Sequence, residues 1–310
     1  MKILITGGAG YIGSKLVYDL AQNKEVSEIV IYDNLSRNNY NLFISEFQKI
    51  DSVKVSFILG DILDGRLLRK SLTDIEVVYH LAAKVASPFE SADSHSFEQV
   101  NHWGASELVS AIEESESVKQ LIYVSSTGVY GTTNTDTEAD EETIPNPSTF
   151  YAISKYRSEP HILRLSKKIK TVIYRAGNVY GFSPAVKFNS VINKFMFDSQ
   201  FINRININGS GKQSRPFIHI DKLSSILAQT ICSDIQSGTY NMADKNISIL
   251  DLVDVFKEIY TELEFIFINQ HLELRSLNVA DNKKLKQHFN LPETDLKEEL
   301  LQFKENNFSF

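Results

Sequence analysis

Thr6-Gly7-Gly8-Ala9-Gly10-Tyr11-Ile12-Gly13 (TGGAGYIG) stands directly behind the apolar run Lys2-Ile3-Leu4-Ile5. Glycines at positions 7, 8, 10 and 13 remove side chains where a strand turns sharply into a helix. Such a turn leaves bare backbone N–H groups at a helix N-terminus, where the peptide dipoles favour an anion. The stretch fits both Gly8-x-Gly10-x-x-Gly13 and Gly7-x-x-Gly10-x-x-Gly13, and either match alone is equally well a packed turn with no ligand. The flanking residues decide between these readings. Ile3 to Ile5 read as a buried strand, and Ile12, Leu16, Val17 and Leu20 recur at helical spacing. A second apolar run, Ile29 to Tyr32, ends at Asp33. A carboxylate there can accept hydrogen bonds from both ribose hydroxyls of an adenosine and repels a 2′-phosphate. The residues thus point to NAD rather than NADP, with Arg37 the nearby group that weakens the preference.

Outward from this turn, short apolar runs alternate with helical patterns. Val53 to Leu59, Val77 to Leu81, Leu121 to Ser125 and Thr171 to Tyr174 read as strands; Phe97 to Ser115 and Tyr151 to Lys168 read as helices. This alternation specifies an α/β fold, a Rossmann-type doubly wound parallel sheet over residues 1–180. Ligands of such sheets bind beyond the carboxyl ends of the strands. From about Val186 the alternation loosens, so residues 181–310 are expected to form mainly a smaller C-terminal substrate-binding lobe, with some segments returning to the first domain. Thr132 to Pro147, polar and acidic, reads as a long loop.

The 310 residues suffice for a large core, and a net charge of −7 without a basic run argues against a nucleic-acid partner. No apolar stretch approaches the ~20 residues of a membrane span. The single cysteine, Cys232, reads as a small buried residue and suits a reducing compartment, so a cytoplasmic protein is expected. No metal site is expected.

Tyr151-Ala152-Ile153-Ser154-Lys155 puts a phenol and an ammonium four residues apart on one helix face. A free phenol, with a pKa near ~10, is a poor base at neutral pH, and an adjacent cation is expected to lower that value. Ser125-Ser126-Thr127-Gly128-Val129-Tyr130-Gly131 places hydroxyls at a strand end upstream, able to bond the oxygen that the tyrosine deprotonates.

Taken together, the chain resembles the extended short-chain dehydrogenase/reductase family, the nucleotide-sugar epimerases and dehydratases. The likeness runs through TGGAGYIG, Asp33-Asn34-Leu35-Ser36, Gly60-Asp61-Ile62, His80-Leu81-Ala82-Ala83, Asn101, Ser125 to Gly131, Tyr151 to Lys155, Arg175 to Gly181 and Arg215 to Asp221. The resemblance implies that Gly7, Gly10, Tyr11, Ile12 and Gly13 hold a pyrophosphate, Asp33 and Asn34 the ribose, and Asp61 with Ile62 the adenine. Leu81, Ala82, Ala83, Lys84 and Ser125 would lie along the NAD, while Tyr151 and Lys155 also touch its nicotinamide ribose. Ser126 is the implied catalytic hydroxyl, with Ser125 and Thr127 as near alternatives. Ser126, Thr127, Asn178, Arg215 and Arg275 would bind a nucleotide-diphosphate sugar, UDP ahead of dTDP or GDP, in a pocket built from loops such as Lys84 to Glu90 and Ala176 to Phe188. A homodimer is expected.

Other residues read as structural: Asn101 as a backbone tie, His80 and His219 as core histidines, Tyr130 and Tyr180 as packing residues, Trp103 as core. Pro160 should kink or end its helix. Pro216 and Lys222 stand where the family more often has acids. Dehydratases resembling this chain carry Asp-Glu after the catalytic hydroxyl, where this chain has Thr127 and Gly128. An epimerase needs no further acid or base, so the expected reaction is a 4-epimerisation through a transient 4-keto sugar. The alternatives are an oxidoreductase or dehydratase of the same fold and a non-catalytic dinucleotide sensor, a class that usually loses the Tyr-Lys pair.

Overall fold

The computed structural model describes residues 1–44, 53–85, 93–133, 137–272 and 274–308. Positions 86–90 of the Lys84 to Glu90 loop and 134–136 of the Thr132 to Pro147 loop lie outside the described residues. Its strands are β1 (Lys2–Thr6), β2 (Glu28–Asp33), β3 (Lys54–Leu59), β4 (Val77–His80), β5 (Gln120–Ser126), β6 (Lys170–Ala176), β7 (Asn178–Tyr180), β8 (Arg204–Asn208), β9 (Ser214–His219), β10 (Gly238–Met242), β11 (Lys245–Ser248) and β12 (Glu264–Ile268).

Seven strands form one sheet in the order β10-β6-β5-β4-β1-β2-β3, and each neighbouring pair is parallel. The continuous apolar runs of β1, β2 and β5 follow from helices covering both faces. One face packs Ile3, Ile5, Ile29 and Ile31 against Leu16, Leu20, Leu223 and Leu227. The other packs Leu4, Val30, Val78 and Tyr123 against Leu108, Ile112 and Ile162. The strand order reverses between β1 and β4, and a sheet of this kind opens a crevice at the carboxyl ends beside such a reversal. The three-stranded sheet β11-β9-β7 and the parallel pair β12-β8 surround a further apolar core that includes Met196, Ile207, Phe217 and Phe256. β10 comes from this later part of the chain yet completes the edge of the large sheet beside β6.

Three expectations are corrected here. Trp103 is 58% exposed rather than core. The inward face of its helical stretch carries Phe97, Asn101, Ala105 and Leu108, and a residue two positions beyond Asn101 falls on the other side. Residues Glu98–Trp103 of that stretch are π-helical. Cys232 is exposed, because the Ile220–Thr230 helix ends before it and leaves it in a turn. Of the two outcomes expected of Pro160, a kink or an end, the end is corrected: the helix runs from Phe150 to Arg164 with the proline inside it. The lost backbone donor is outweighed by burial of Ile162 and Leu165 under the sheet.

Candidate active site

The turn after β1 is held backbone to backbone. Gly7 has φ +73, a region that disfavours any side chain, and a Cβ there would stand 2.5 Å from the Ala82 nitrogen. The Gly10 N–H donates to the Gly7 carbonyl at 3.1 Å, and a Cβ on Gly13 would stand 2.5 Å from that same oxygen. The Tyr11–Ala21 helix starts at Gly10 with no side-chain cap and no acid in its first turn, so its free N–H groups suit an anion.

Asp33, at the carboxyl end of β2, accepts from Ala9 N at 3.1 Å and Leu35 N at 2.8 Å, which aims the carboxylate at the glycine turn. Burial raises its pKa, and those two backbone bonds oppose the rise. Asn34 Nδ2 donates to Asp61 Oδ2 at 2.9 Å, gathering Asp33, Asn34 and Asp61 at the ends of β2 and β3. These features fit a dinucleotide: a side-chain-free cradle, an open helix start and a preset carboxylate. Ile62 contributes core, its side chain buried against Gly104. Tyr11 spends its phenol on the Gly181 carbonyl at 2.7 Å, and Ile12 packs on the core. Leu81, Ala82 and Ala83 are half-buried beside the turn. Lys84 is exposed, its backbone clasped by Asn101 through bonds of 2.7 Å and 3.0 Å. Asn101 Nδ2 also donates to Ser154 Oγ at 2.9 Å, so this tie joins the loop after β4 to the helix bearing Tyr151.

Three hydroxyls follow one another at the end of β5, and the structure separates them. Ser125 is 2% exposed and donates to Glu159 Oε1 at 2.7 Å. Thr127 is 2% exposed and donates to the Ala176 carbonyl at 3.3 Å. Both are thereby corrected as ligand-contacting hydroxyls: alternation along β5 turns Ser125 away from the side of Ser126, and Thr127 opens the tight turn Thr127–Tyr130 with its hydroxyl on the end of β6. Ser126 is half-buried, and its side chain faces the Tyr151 phenol.

Tyr151 and Lys155 sit in the first turns of the Phe150–Arg164 helix, which Thr149 caps by accepting from Ala152 N at 3.2 Å. The Phe97 ring meets Tyr151 edge-on with centroids 6.3 Å apart. Burial pushes the Tyr151 phenol up to about 12, and the Ser126 side chain offsets part of that rise. The expected lowering by Lys155 is therefore corrected. Lys155 Nζ donates to the Val124 carbonyl at 2.8 Å and stands 4.5 Å from the Tyr123 ring centre. Burial lowers its own pKa to about 7, with Glu159 acting in the opposite direction. His80 is a core histidine: it is 1% exposed, its Nδ1 lies 2.8 Å from Thr6 Oγ1, and burial lowers its pKa to about 3.

On the other side of the cleft the contacts run without a break. Ala176, which receives the Thr127 bond, leads to Gly177, where a Cβ would meet the Pro216 carbonyl at 2.9 Å. Asn178 Nδ2 donates to that carbonyl at 3.0 Å. Arg215 donates to its neighbour Ser214 O at 2.9 Å and to the backbone carbonyl of Arg275, whose residue is exposed. Burial lowers the Arg215 pKa.

Sequence reasoning missed a buried ion pair under this site. Arg175 and Glu159 are 6% and 3% exposed, and Arg175 donates to Glu159 through Nη2 at 2.7 Å and Nε at 3.1 Å. The available signals were an arginine inside the apolar strand TVIYRA and a glutamate one helical turn beyond Lys155.

Residues 3–243 match the model of the NAD dependent epimerase/dehydratase family. The chain is 30% identical over 273 residues to dTDP-D-glucose 4,6-dehydratase of Homo sapiens, covering 85% of this chain and 76% of that protein. It is 26% identical over 322 residues to CDP-paratose 2-epimerase of Salmonella typhi, covering 92% of each. Among solved structures, UDP-glucuronic acid 4-epimerase from Bacillus cereus in complex with UDP-glucuronic acid and NAD superposes with a TM-score of 0.84 at 25% identity, covering 98% of both chains.

Proposed function

Because the chain belongs to the NAD-dependent epimerase/dehydratase family, we propose that it inverts C4 of a nucleotide-diphosphate sugar, with UDP the favoured carrier. One observation carries the choice of epimerisation over dehydration. The two positions after Ser126, where dehydratases of the family carry an acid pair, hold a buried threonine bonded to a backbone carbonyl and a glycine. Neither can move protons at the carbons next to C4. The nearest buried carboxylate, Glu159, is committed to Arg175 and Ser125. In this reading NAD is held by Gly7, Gly10, Gly13 and Asp33, and when bound it supplies the acceptor and donor of the sugar's hydride. Tyr151 takes the proton from the C4 hydroxyl, and Ser126 hydrogen-bonds the same oxygen. Lys155, one helical turn from Tyr151, stabilises the phenolate when protonated. Arg215 and Arg275 hold the diphosphate and leave the sugar few fixed contacts, so that a 4-keto ring can present its other face.

The test is incubation with UDP-hexoses and with UDP-glucuronic acid, followed by product NMR. The expected product is the C4 epimer with no steady change in NADH. A 4-keto-6-deoxy sugar would make the enzyme a dehydratase, and steady NADH accumulation would make it a net oxidoreductase. UDP is also expected to raise the melting temperature, an effect lost in Arg215→Ala. No turnover and no stabilisation by UDP, dTDP, GDP or CDP would remove the nucleotide-sugar reading.

A second expected outcome concerns the cofactor. Two like charges ~4 Å apart at an effective dielectric constant of ~20 repel by about 4 kcal/mol. Asp33 should therefore make NADP bind at least ~10-fold more weakly than NAD in calorimetric titration of cofactor-stripped protein. Tighter binding of NADP would reverse the assignment and make Arg37 the deciding residue.

A further inference from the structure

The pair formed by Glu159 and Arg175 lies directly beneath the residues read above as catalytic, and it touches every element that carries them. Glu159 is on the helix of Tyr151 and Lys155, one turn beyond the lysine. Its Oε1 accepts from Ser125 Oγ at 2.7 Å, on the strand that ends in Ser126. Arg175, on β6, completes the bidentate pair and donates through Nη1 to the Tyr130 hydroxyl at 2.9 Å. Its guanidinium also stands 4.9 Å over the Tyr130 ring, and Tyr130 donates onward to Asn241 Oδ1 at 2.7 Å. One carboxylate thus welds the helix to the strand, and its partner cation extends the weld to the turn after Ser126.

Such a pair is a costly way to obtain stability alone. Desolvation offsets much of the attraction between buried charges, and apolar replacements of similar volume are often neutral or better. The surroundings of Lys155 suggest what else the carboxylate does. The titratable groups that act on that amine are His80 on β4, Tyr123 on β5 with its ring 4.5 Å away, and Glu159 on its own helix; Arg175 on β6 and Tyr130 on the following turn are reached through Glu159, and Tyr151 stands one helical turn before the lysine. His80 and the tyrosines are neutral, and Arg175 is already paired. Glu159 is the anion of this group. Lys155 bonds the Val124 carbonyl while Glu159 bonds the Ser125 hydroxyl, so both groups are anchored on consecutive residues of one strand.

We propose that Glu159 is a positioning residue of the reaction centre, fixing the helix of Tyr151 and Lys155 on the strand of Ser126 and setting a carboxylate one helical turn from the Lys155 amine. The proposal rests on the reading of Lys155 as part of that centre. The sign of the effect follows from the charge: removing the carboxylate makes Lys155 give up its proton at lower pH, so activity is lost earlier on the alkaline side.

Glu159→Gln alone leaves Arg175 buried and unpaired and can fail to fold for that reason. The informative variant combines Glu159→Gln with Arg175→Met, removing both charges at similar volume. Two readouts are needed on the NAD-loaded enzyme. Lysines carrying carbon-13 at Cε report titration by NMR, with the Lys155 resonance identified by its loss in Lys155→Met. Measured against Arg175→Met, which keeps the carboxylate without its cation, the double variant should have its midpoint lower by about one pH unit or more, and the alkaline limb of kcat should move with it. A folded double variant whose Lys155 midpoint equals that of Arg175→Met overturns the proposal, because a purely structural pair would not move that titration. Absence of sugar turnover in the unmodified enzyme would instead refute the proposed reaction and leave the NMR readout intact.

Discussion

Tyr151→Phe is expected to cut turnover by at least ~10²–10⁴-fold, the usual contribution of a positioned acid or base, while melting temperature and NAD affinity change little. The phenol packs edge-on against Phe97, and its hydroxyl meets the Ser126 side chain, a single bond beside the many contacts that already hold this helix to β5. Loss of that oxygen therefore leaves a phenyl ring in the same contacts and removes the group that accepts the sugar proton. Because burial pushes the phenol up to about 12, its deprotonation depends on charge brought near it, and Lys155→Met should lower the rate comparably while also weakening NAD. Initial rates of epimer formation, with circular dichroism and calorimetry on the same samples, check both variants. Turnover within a few-fold of the unmodified enzyme in Tyr151→Phe would reject the phenol as base.

Gly7→Ala should have the largest effect on cofactor binding. An alanine at φ +73 costs roughly 1–2 kcal/mol from backbone strain alone. The added Cβ would also lie 2.5 Å from the Ala82 nitrogen and 2.7 Å from its Cα, where backbone rather than a flexible side chain must give way. Opening that contact separates the glycine turn from the end of β4, the two segments between which the crevice opens. NAD affinity is expected to fall by about 100-fold or more, with a lower melting temperature, since ~3 kcal/mol of combined strain and misplacement corresponds to that factor. Calorimetric titration measures it, and an affinity within about threefold of the original would show that the turn does not seat the dinucleotide.

The sheet was legible because its strands are covered on both faces, so the centres of β1, β2, β5 and β6 appear as apolar runs between helical patterns. The tight turn after β1 was legible because only glycine satisfies the positive φ and the backbone approach at Gly7. Direction was harder. Three consecutive hydroxyls look alike in a string of letters, yet alternation along β5 sets Ser125 and Ser126 on opposite sides, and the turn that starts at Thr127 sends its hydroxyl to β6. Trp103 was assigned by its apolarity instead of by its place on the helix, and that place faces outward. The charge state of Lys155 was illegible, since its pKa depends on the depth of burial and on a carboxylate whose own partner, Arg175, lies on another strand.

β10 bears on how the protein is made. The inner sheet strand β6 ends at Ala176, but its outer neighbour begins only at Gly238. At ~5–20 residues per second, a ribosome needs about 3–12 s to add the intervening segment. Throughout that interval β6 presents an unpaired row of backbone donors and acceptors along an apolar strand, the template on which chains pair with one another. A nascent chain of this protein is therefore most prone to aggregation after residues 1–180 have been synthesised, and covering the β6 edge depends on a strand supplied by the later part of the chain. Messages or proteolytic events that stop short of Met242 would leave that edge open permanently, which makes the apparently dispensable C-terminal part of the chain a guardian of the sheet's solubility.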